Sequence, residues 1–209
     1  MLSHDDIAAH LAADVVLEGE RIPVFVHTIE HPDGLVLVDT GMIDSTPELD
    51  EEWQARPHPL PEELVRRVAV VINTHLHFDH CGGNRLFAGV PIHVQRRELE
   101  EARSDPDYTI PEWVDFEGAT YVEHDGEAEV LPGVRLLPAP GHSDGHQVVL
   151  VDTDEGLVVL GGDVGYSFRE LGLGDTEGRR RVLELGAPTY LAHVERPRVP
   201  EHRPEPAAG

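Results

Sequence analysis

The chain has no lysine and a single cysteine, and no apolar run reaches membrane-spanning length. The lone cysteine, Cys81, excludes an internal disulfide framework and reads as a small buried filler. All 16 basic residues are arginines, set against 40 aspartates and glutamates, so the formal charge is −24. Such an acidic surface repels nucleic acid and anionic lipid, and neither is expected as a partner. The opening MLSHDDIAAHLAADVV is acidic and lacks the basic start of a signal peptide. A cytoplasmic protein is expected.

What is present suits one substantial core: 209 residues, 40% of them hydrophobic. Residues 1–20 read as a polar, partly helical lead-in. IPVFVHTIE and GLVLVDTG are β-rich runs around the turn signal HPDG, which predicts a hairpin. The proline-broken stretch from Ser45 to Arg67 reads as a loop ending in a short helix begun at Pro61. VAVVINT is a buried strand by its continuous branched-apolar run. GGNRLF opens a helix, PIHVQ is a strand, and RRELEEARSD is a short exposed helix. Further strands follow in ATYVEH, AEVLPGVRLLPAP, HQVVLVDTDEGLVVLGGD and PTYLAH, with a helix over TEGRRRVLELG. No linker divides the chain. A single mixed α/β domain over 1–195 is expected, with 196–209, rich in proline and charge, a disordered tail.

The chemistry is concentrated at strand ends. NTHLHFDH closes one strand, PAPGHSDGH a second, VVLGGD a third and PTYLAH a fourth. They present His75, His77, Asp79, His80, His142, Asp163 and His193. Imidazole with carboxylate suits zinc and similar first-row ions, whereas calcium or magnesium would want oxygen throughout. Seven donors exceed one tetrahedral site and suffice for two ions sharing one carboxylate. Of the other histidines, His4, His10, His58 and His202 read as exposed surface residues. His93, His124 and His146 read as ordinary surface or hydrogen-bonded ones.

THLHFDHCGG resembles the H-x-H-x-D-H signature of the metallo-β-lactamase superfamily, and PAPGHSDGH, LGGD and LAH resemble its remaining ligand motifs in order. The resemblance runs from about Ile22 to His193. It implies an αββα sandwich of two mixed β-sheets flanked by helices, holding two divalent metal ions: zinc, or iron, cobalt or manganese. By that resemblance His75, His77 and His142 hold the first ion, and Asp79, His80 and His193 hold the second. Asp163 bridges both, and Asp39, in VDTG, orients a ligand from behind.

GGDVGY sets Tyr166 three residues after Asp163, which is similar to the quorum-quenching N-acyl-homoserine lactonases. HPDGLVLVDTGM, PIHVQRREL and VLPGVRLLPAPGHSDGHQ also look like that branch. The resemblance implies hydroxide shared by two metals attacking a lactone carbonyl. Tyr166 would donate to the developing oxyanion, and Asp79 would relay a proton to the leaving alkoxide. It is compatible with a homodimer. Two departures bear on the acyl-chain pocket: the N-terminal segment is brief, and only 29 residues separate Asp163 from His193. The rivals are a thioesterase like glyoxalase II, a mononuclear-iron persulfide dioxygenase, and a non-catalytic metal-binding module.

Overall fold

The computed structural model describes residues 1–201. Seven strands build one sheet: β1 (Ile7–Leu17), β2 (Glu20–His31), β3 (Gly34–Val38), β4 (Arg56–Pro57), β5 (Val68–Ile72), β6 (Pro91–Gln95) and β7 (Thr120–His124), ordered β4-β1-β2-β3-β5-β6-β7. Five build the other: β8 (Ala128–Leu131), β9 (Val134–Pro138), β10 (Gln147–Thr153), β11 (Gly156–Leu160) and β12 (Thr189–Tyr190), ordered β12-β11-β10-β9-β8. Both sheets mix antiparallel hairpins with parallel crossovers, as at β3–β5 and β11–β12. The helices are α1 (Pro47–Glu52), α2 (Glu62–Val65), α3 (Phe78–Cys81), α4 (Arg96–Ser104), α5 (Pro111–Val114), α6 (Phe168–Leu171) and α7 (Glu177–Leu185).

The period of two along each strand explains the layering. Val36 and Val38 of β3 point inward with Ile29 and Ile72, meeting Val134, Leu136, Val149, Val151 and Leu160 of the opposing sheet. Their neighbours Leu35 and Leu37 face outward with Val71, Phe87 and Leu60, where α2 packs. Likewise Val148 and Leu150 turn away from the central layer onto Val182 and Leu183 of α7 and Leu171 of α6. Strands covered on both faces must be apolar at every position, hence the unbroken runs GLVLV, VAVVI and QVVLV. Each buried aliphatic contributes about 1.5–3 kcal/mol, and this layer carries the loops at its edge. This is the αββα sandwich expected from the sequence.

The lead-in is where expectation and structure part. Only His4–Asp6 is helical, as a single 3₁₀ turn, whereas Ile7–Leu17 is a strand that pairs with β2 from Ile7↔Ile29 to Leu17↔Glu20. Its turn is the two-residue Glu18-Gly19, both at positive φ (52° and 84°), the tight hairpin geometry. The alanines that look helical are small for a tertiary reason. Ala12 sits beneath Gly41, whose φ is +64° and where any side chain would collide with the Ala12 Cβ. The loop expected over 45–60 also contains α1, whose signal was present: Thr46 caps Leu49 N at 3.3 Å and Pro47 opens the helix.

The other helices follow expectation more closely. α7 runs from its Thr176 cap to Gly186 at φ 59°, a left-handed C-terminal stop. GGNRLF forms a single 3₁₀ turn, Asn84–Phe87. α4 is not simply exposed, because Glu98, Leu99 and Ala102 are buried. In the segment expected as tail, Arg198 pairs with Thr189 through both backbone hydrogen bonds (2.8 and 3.0 Å). Residues 202–209, including His202, lie outside the described part. No helix among the described residues is long and apolar enough to cross a membrane.

The contact at Gly41 is testable. Gly41→Ala adds a methyl group where both the backbone and Ala12 refuse it, and should cost about 2–3 kcal/mol in a urea melt. A parent-like melting curve would show that β1 does not press on that turn.

Candidate metal centre

The C-terminal ends of β3, β5, β9, β11 and β12 meet at one edge of the sandwich. The first sheet delivers His75 and His77 on the loop after β5, then Asp79 and His80 in α3, which begins directly after His77. The second sheet delivers His142 after β9, Asp163 after β11 and His193 after β12. Backbone hydrogen bonds lock these loops across the sheets, Gln147 N to Thr74 O (2.8 Å) and Phe25 N to Ala192 O (2.7 Å), and within the second, Ala192 N to Gly162 O (3.0 Å). All seven expected donors therefore come together.

They form two halves joined by one carboxylate. His142 Nε2 lies 3.1 Å from His75 Nε2 and 3.0 Å from His77 Nδ1. Beyond them, Asp163 turns Oδ2 toward His142 Nε2 (3.6 Å) and Oδ1 toward His193 Nε2 (3.1 Å) and His80 Nε2 (3.3 Å). Asp79 Oδ2 stands 3.7 Å from the same His80 nitrogen. Three overlapping donor groups result: His75–His77–His142, His75–His80–Asp163 and Asp79–His80–His193. The Nε2 atoms of His80 and His193 and Oδ1 of Asp163 are buried, and none makes a well-directed hydrogen bond among the described residues. Buried polar atoms left this way cost free energy, and a cation among them would answer it. The residues fit divalent metal ions.

The hydrogen bonds behind the donors set their tautomers. His80 Nδ1 donates to Asp39 Oδ2 at 2.8 Å, which turns Nε2 toward Asp163. His193 Nδ1 donates to the Pro23 carbonyl at 2.7 Å, which again turns Nε2 toward Asp163. The Thr74 hydroxyl donates to Asp39 Oδ2 at 2.7 Å, so it accepts from His75 Nδ1 at 3.1 Å. Asp39 Oδ1 takes the Thr74 amide at 2.7 Å.

Burial holds His75 well below the usual imidazole range, aided by the neighbouring histidines, and holds His77 at about 4. Burial lowers His142 as well. All three are then neutral, the form that binds metal. At His80 and His193 burial also opposes charge, but Asp163 and its fellow acids override it and raise both. Burial likewise pushes the Asp163 carboxyl up, yet His193 and His80 hold it well below the carboxylate range.

A family model described as the metallo-beta-lactamase superfamily matches residues 19–196. The chain belongs to the metallo-beta-lactamase superfamily. Within it, the chain is 35% identical over 186 residues to an N-acyl homoserine lactonase of a Bacillus species, covering 80% of this chain and 72% of that one. A solved quorum-quenching N-acyl homoserine lactone hydrolase superposes with a TM-score of 0.72 at 27% identity, covering 92% of this chain and 93% of that one. Another N-acyl homoserine lactone hydrolase, with N-hexanoyl-L-homoserine product at its catalytic metal center, matches with a TM-score of 0.69 at 26% identity, covering 90% and 91%.

In this superfamily member four of the donors, His77, Asp79, Asp163 and His193, line a cavity of about 560 Å³. Val15, Leu17, Ile22, Leu49, Trp53 and Ile110 are among its walls, so the hairpin misread as a lead-in supplies part of the pocket. Glu48, Glu52 and Asp107, all exposed, rim it, and no arginine lines it among the described residues. Tyr166 is half-buried, its ring 5.7 Å from His142 and 5.1 Å from His193. Burial, then Asp163 and Asp79, raise its phenol, so the hydroxyl keeps its proton.

Three residues escaped the sequence reading. Tyr108 packs its ring 4.7 Å from His77, and its hydroxyl donates to the buried Glu98. His146 is not an ordinary surface or hydrogen-bonded histidine. It is fully buried against the His75 ring (5.3 Å) with neither nitrogen partnered among the described residues, and burial lowers it to about 3. The only signal for these was proximity in space.

The surface histidines also need correction. His10 is half-buried, bonded to Thr28 Oγ1 at 2.9 Å, and His58 bonds Asp14 at 2.8 Å. His4 is half-buried too. His93 and His124 stack at 5.1 Å and share a 2.9 Å hydrogen bond. Cys81 is buried as expected, its thiol pushed up to about 12 by burial.

Asp39 receives three donors, and Asn offers only one acceptor oxygen. Asp39→Asn should weaken metal binding about 10–100-fold in chelator competition while leaving the circular dichroism spectrum intact. Parent-like affinity would show that the network behind the donors does not orient them.

Proposed function

We propose that this chain is a dinuclear-metal-dependent hydrolase that opens the lactone ring of N-acyl homoserine lactones or related lactones. The observation that carries the reading is the seven-donor cluster, with Asp163 facing both halves, opening through His77, Asp79, Asp163 and His193 into a cavity with an apolar wall. His75, His77 and His142 would hold one ion, Asp79, His80 and His193 the other, and Asp163 both. Zinc suits this nitrogen-and-oxygen set, as do iron, cobalt and manganese. When bound, such ions supply a water acidic enough to act as nucleophile near neutral pH and polarise the carbonyl.

The chain's own residues do the rest. Val15, Leu17, Ile22 and Trp53 bury an acyl chain and shed its water. The acidic rim of Glu48, Glu52 and Asp107 favours a neutral ring over an anionic phosphodiester or penicillin carboxylate. Tyr166, protonated and spanning His142 and His193, donates a hydrogen bond to the carbonyl oxygen as negative charge gathers there. Asp79 has a second carboxylate oxygen with which to carry the proton to the departing ring oxygen. The likeness to named N-acyl homoserine lactonases supports the same substrate class.

Metal analysis of protein purified without added metal, followed by a screen of lactones, thioesters, phosphodiesters and β-lactams, tests the reading. Two ions per chain are expected. Asp163→Asn should disturb the pair more than loss of any outer donor, because a neutral amide bridges two cations poorly. A content that stays at one under metal-replete conditions rules out the dinuclear centre.

Tyr166→Phe keeps the ring and the donors but removes one hydrogen bond. Its loss should fall on kcat, about tenfold to a few hundredfold, with metal content unchanged. Homoserine-lactone turnover equal to the parent's would make the tyrosine a mere wall of the cavity. Thioester or phosphodiester cleavage with no lactone opening would overturn the substrate class.

A further inference from the structure

Glu98 is fully buried on the first turn of α4, outside the donor set, and is an unusual residue to find there. Its Oε1 accepts the Leu76 amide at 2.7 Å and the Tyr108 hydroxyl, and its Oε2 accepts the Ser143 hydroxyl at 2.6 Å. Leu76 lies between His75 and His77, and Ser143 follows His142. One carboxylate thus grips both loops of the three-histidine half, one from each sheet. The grip is close: a side chain at Gly145 would run into the Glu98 backbone, so the His142 loop closes directly onto α4. Tyr108, held by the same carboxylate, packs on His77 and lines the cavity. An apolar residue of equal size would leave three buried donors unpaired.

We propose that Glu98 is a positioning residue that sets the approach of His142 to His75 and His77, and so the affinity of that half of the centre for its ion. This rests on the metal reading above. The second half, Asp79, His80 and His193, is braced by Asp39 and Pro23 and does not depend on Glu98.

Cobalt(II) titration of the metal-free protein, followed by visible absorption, separates the two binding events. His142→Ala and His193→Ala assign them, since each deletes a donor from one half. Glu98→Gln keeps the size but has one acceptor oxygen in place of two, and should weaken the three-histidine event about tenfold. Glu98→Ala should weaken it about 100-fold and change its absorption band, with the other event shifted less than about threefold. If Glu98→Ala fails to fold, Glu98→Gln and Ser143→Ala are read the same way, the latter losing a single bond.

Both events unchanged in folded variants, or both weakened alike, would overturn the proposal, the second outcome reducing Glu98 to a general stabiliser. A parent protein that binds fewer than two ions overturns the metal reading itself, and this inference with it.

Discussion

Asp39 stands where β3 ends, with its carboxylate buried and three hydrogen bonds arriving from Thr74 and His80. Its backbone is in the left-handed region, φ 59°, held there by its amide's 2.8 Å bond to Ile72 O. A non-glycine residue in that conformation costs on the order of 1 kcal/mol, which the surrounding hydrogen bonds offset. From this one acceptor follow the tautomers of His80 directly and His75 through Thr74. With His193 fixed by the Pro23 carbonyl, three imidazoles turn their Nε2 atoms toward one volume.

A cluster of this kind is unfavourable by itself. Five imidazoles and two carboxylates lie within a few ångströms, with several atoms lacking partners. The inner faces of the two sheets supply the stability that tolerates it, and they are mostly aliphatic. The seven donors stand on the loops and the short helix beyond the strand ends, where the ladder no longer needs the backbone and side chains can converge from both sheets. The cavity above inherits the same division, apolar where β1, β2 and α1 wall it and acidic at its rim. The chain's net charge of −24 extends to the mouth of the cavity through that rim.

Three features hidden from local pattern share a cause. β1 looked like a polar lead-in because its alanines and acids carry weak strand propensity, yet pairing with β2 and the pressure of Gly41 on Ala12 decide its state. Glu98 looked like one more acid on an exposed helix, because REL-EE offers no local mark distinguishing the glutamate that turns inward. His146 was passed over similarly: nothing in GHSDGH says that its second histidine is sealed behind the first. In each case the deciding neighbours are brought close by the fold, and local pattern carries no information about them.

Residue pattern alone picks out most of the apolar strands and the seven side chains that the structure brings together at one edge of the sandwich. Strands buried on both faces must be continuously apolar, and metal chemistry restricts which side chains recur where they end. Only the tertiary structure decided that β1 is a strand and that β12 shrinks to Thr189–Tyr190. It alone decided which oxygen of Asp163 faces which half, that Asp39 reaches His80 directly and His75 through Thr74, and that Glu98 bonds the loops of both sheets. The reason is physical: donor identity is a property of a residue, whereas direction, tautomer and burial are properties of its contacts, and those arise when the two sheets close on each other.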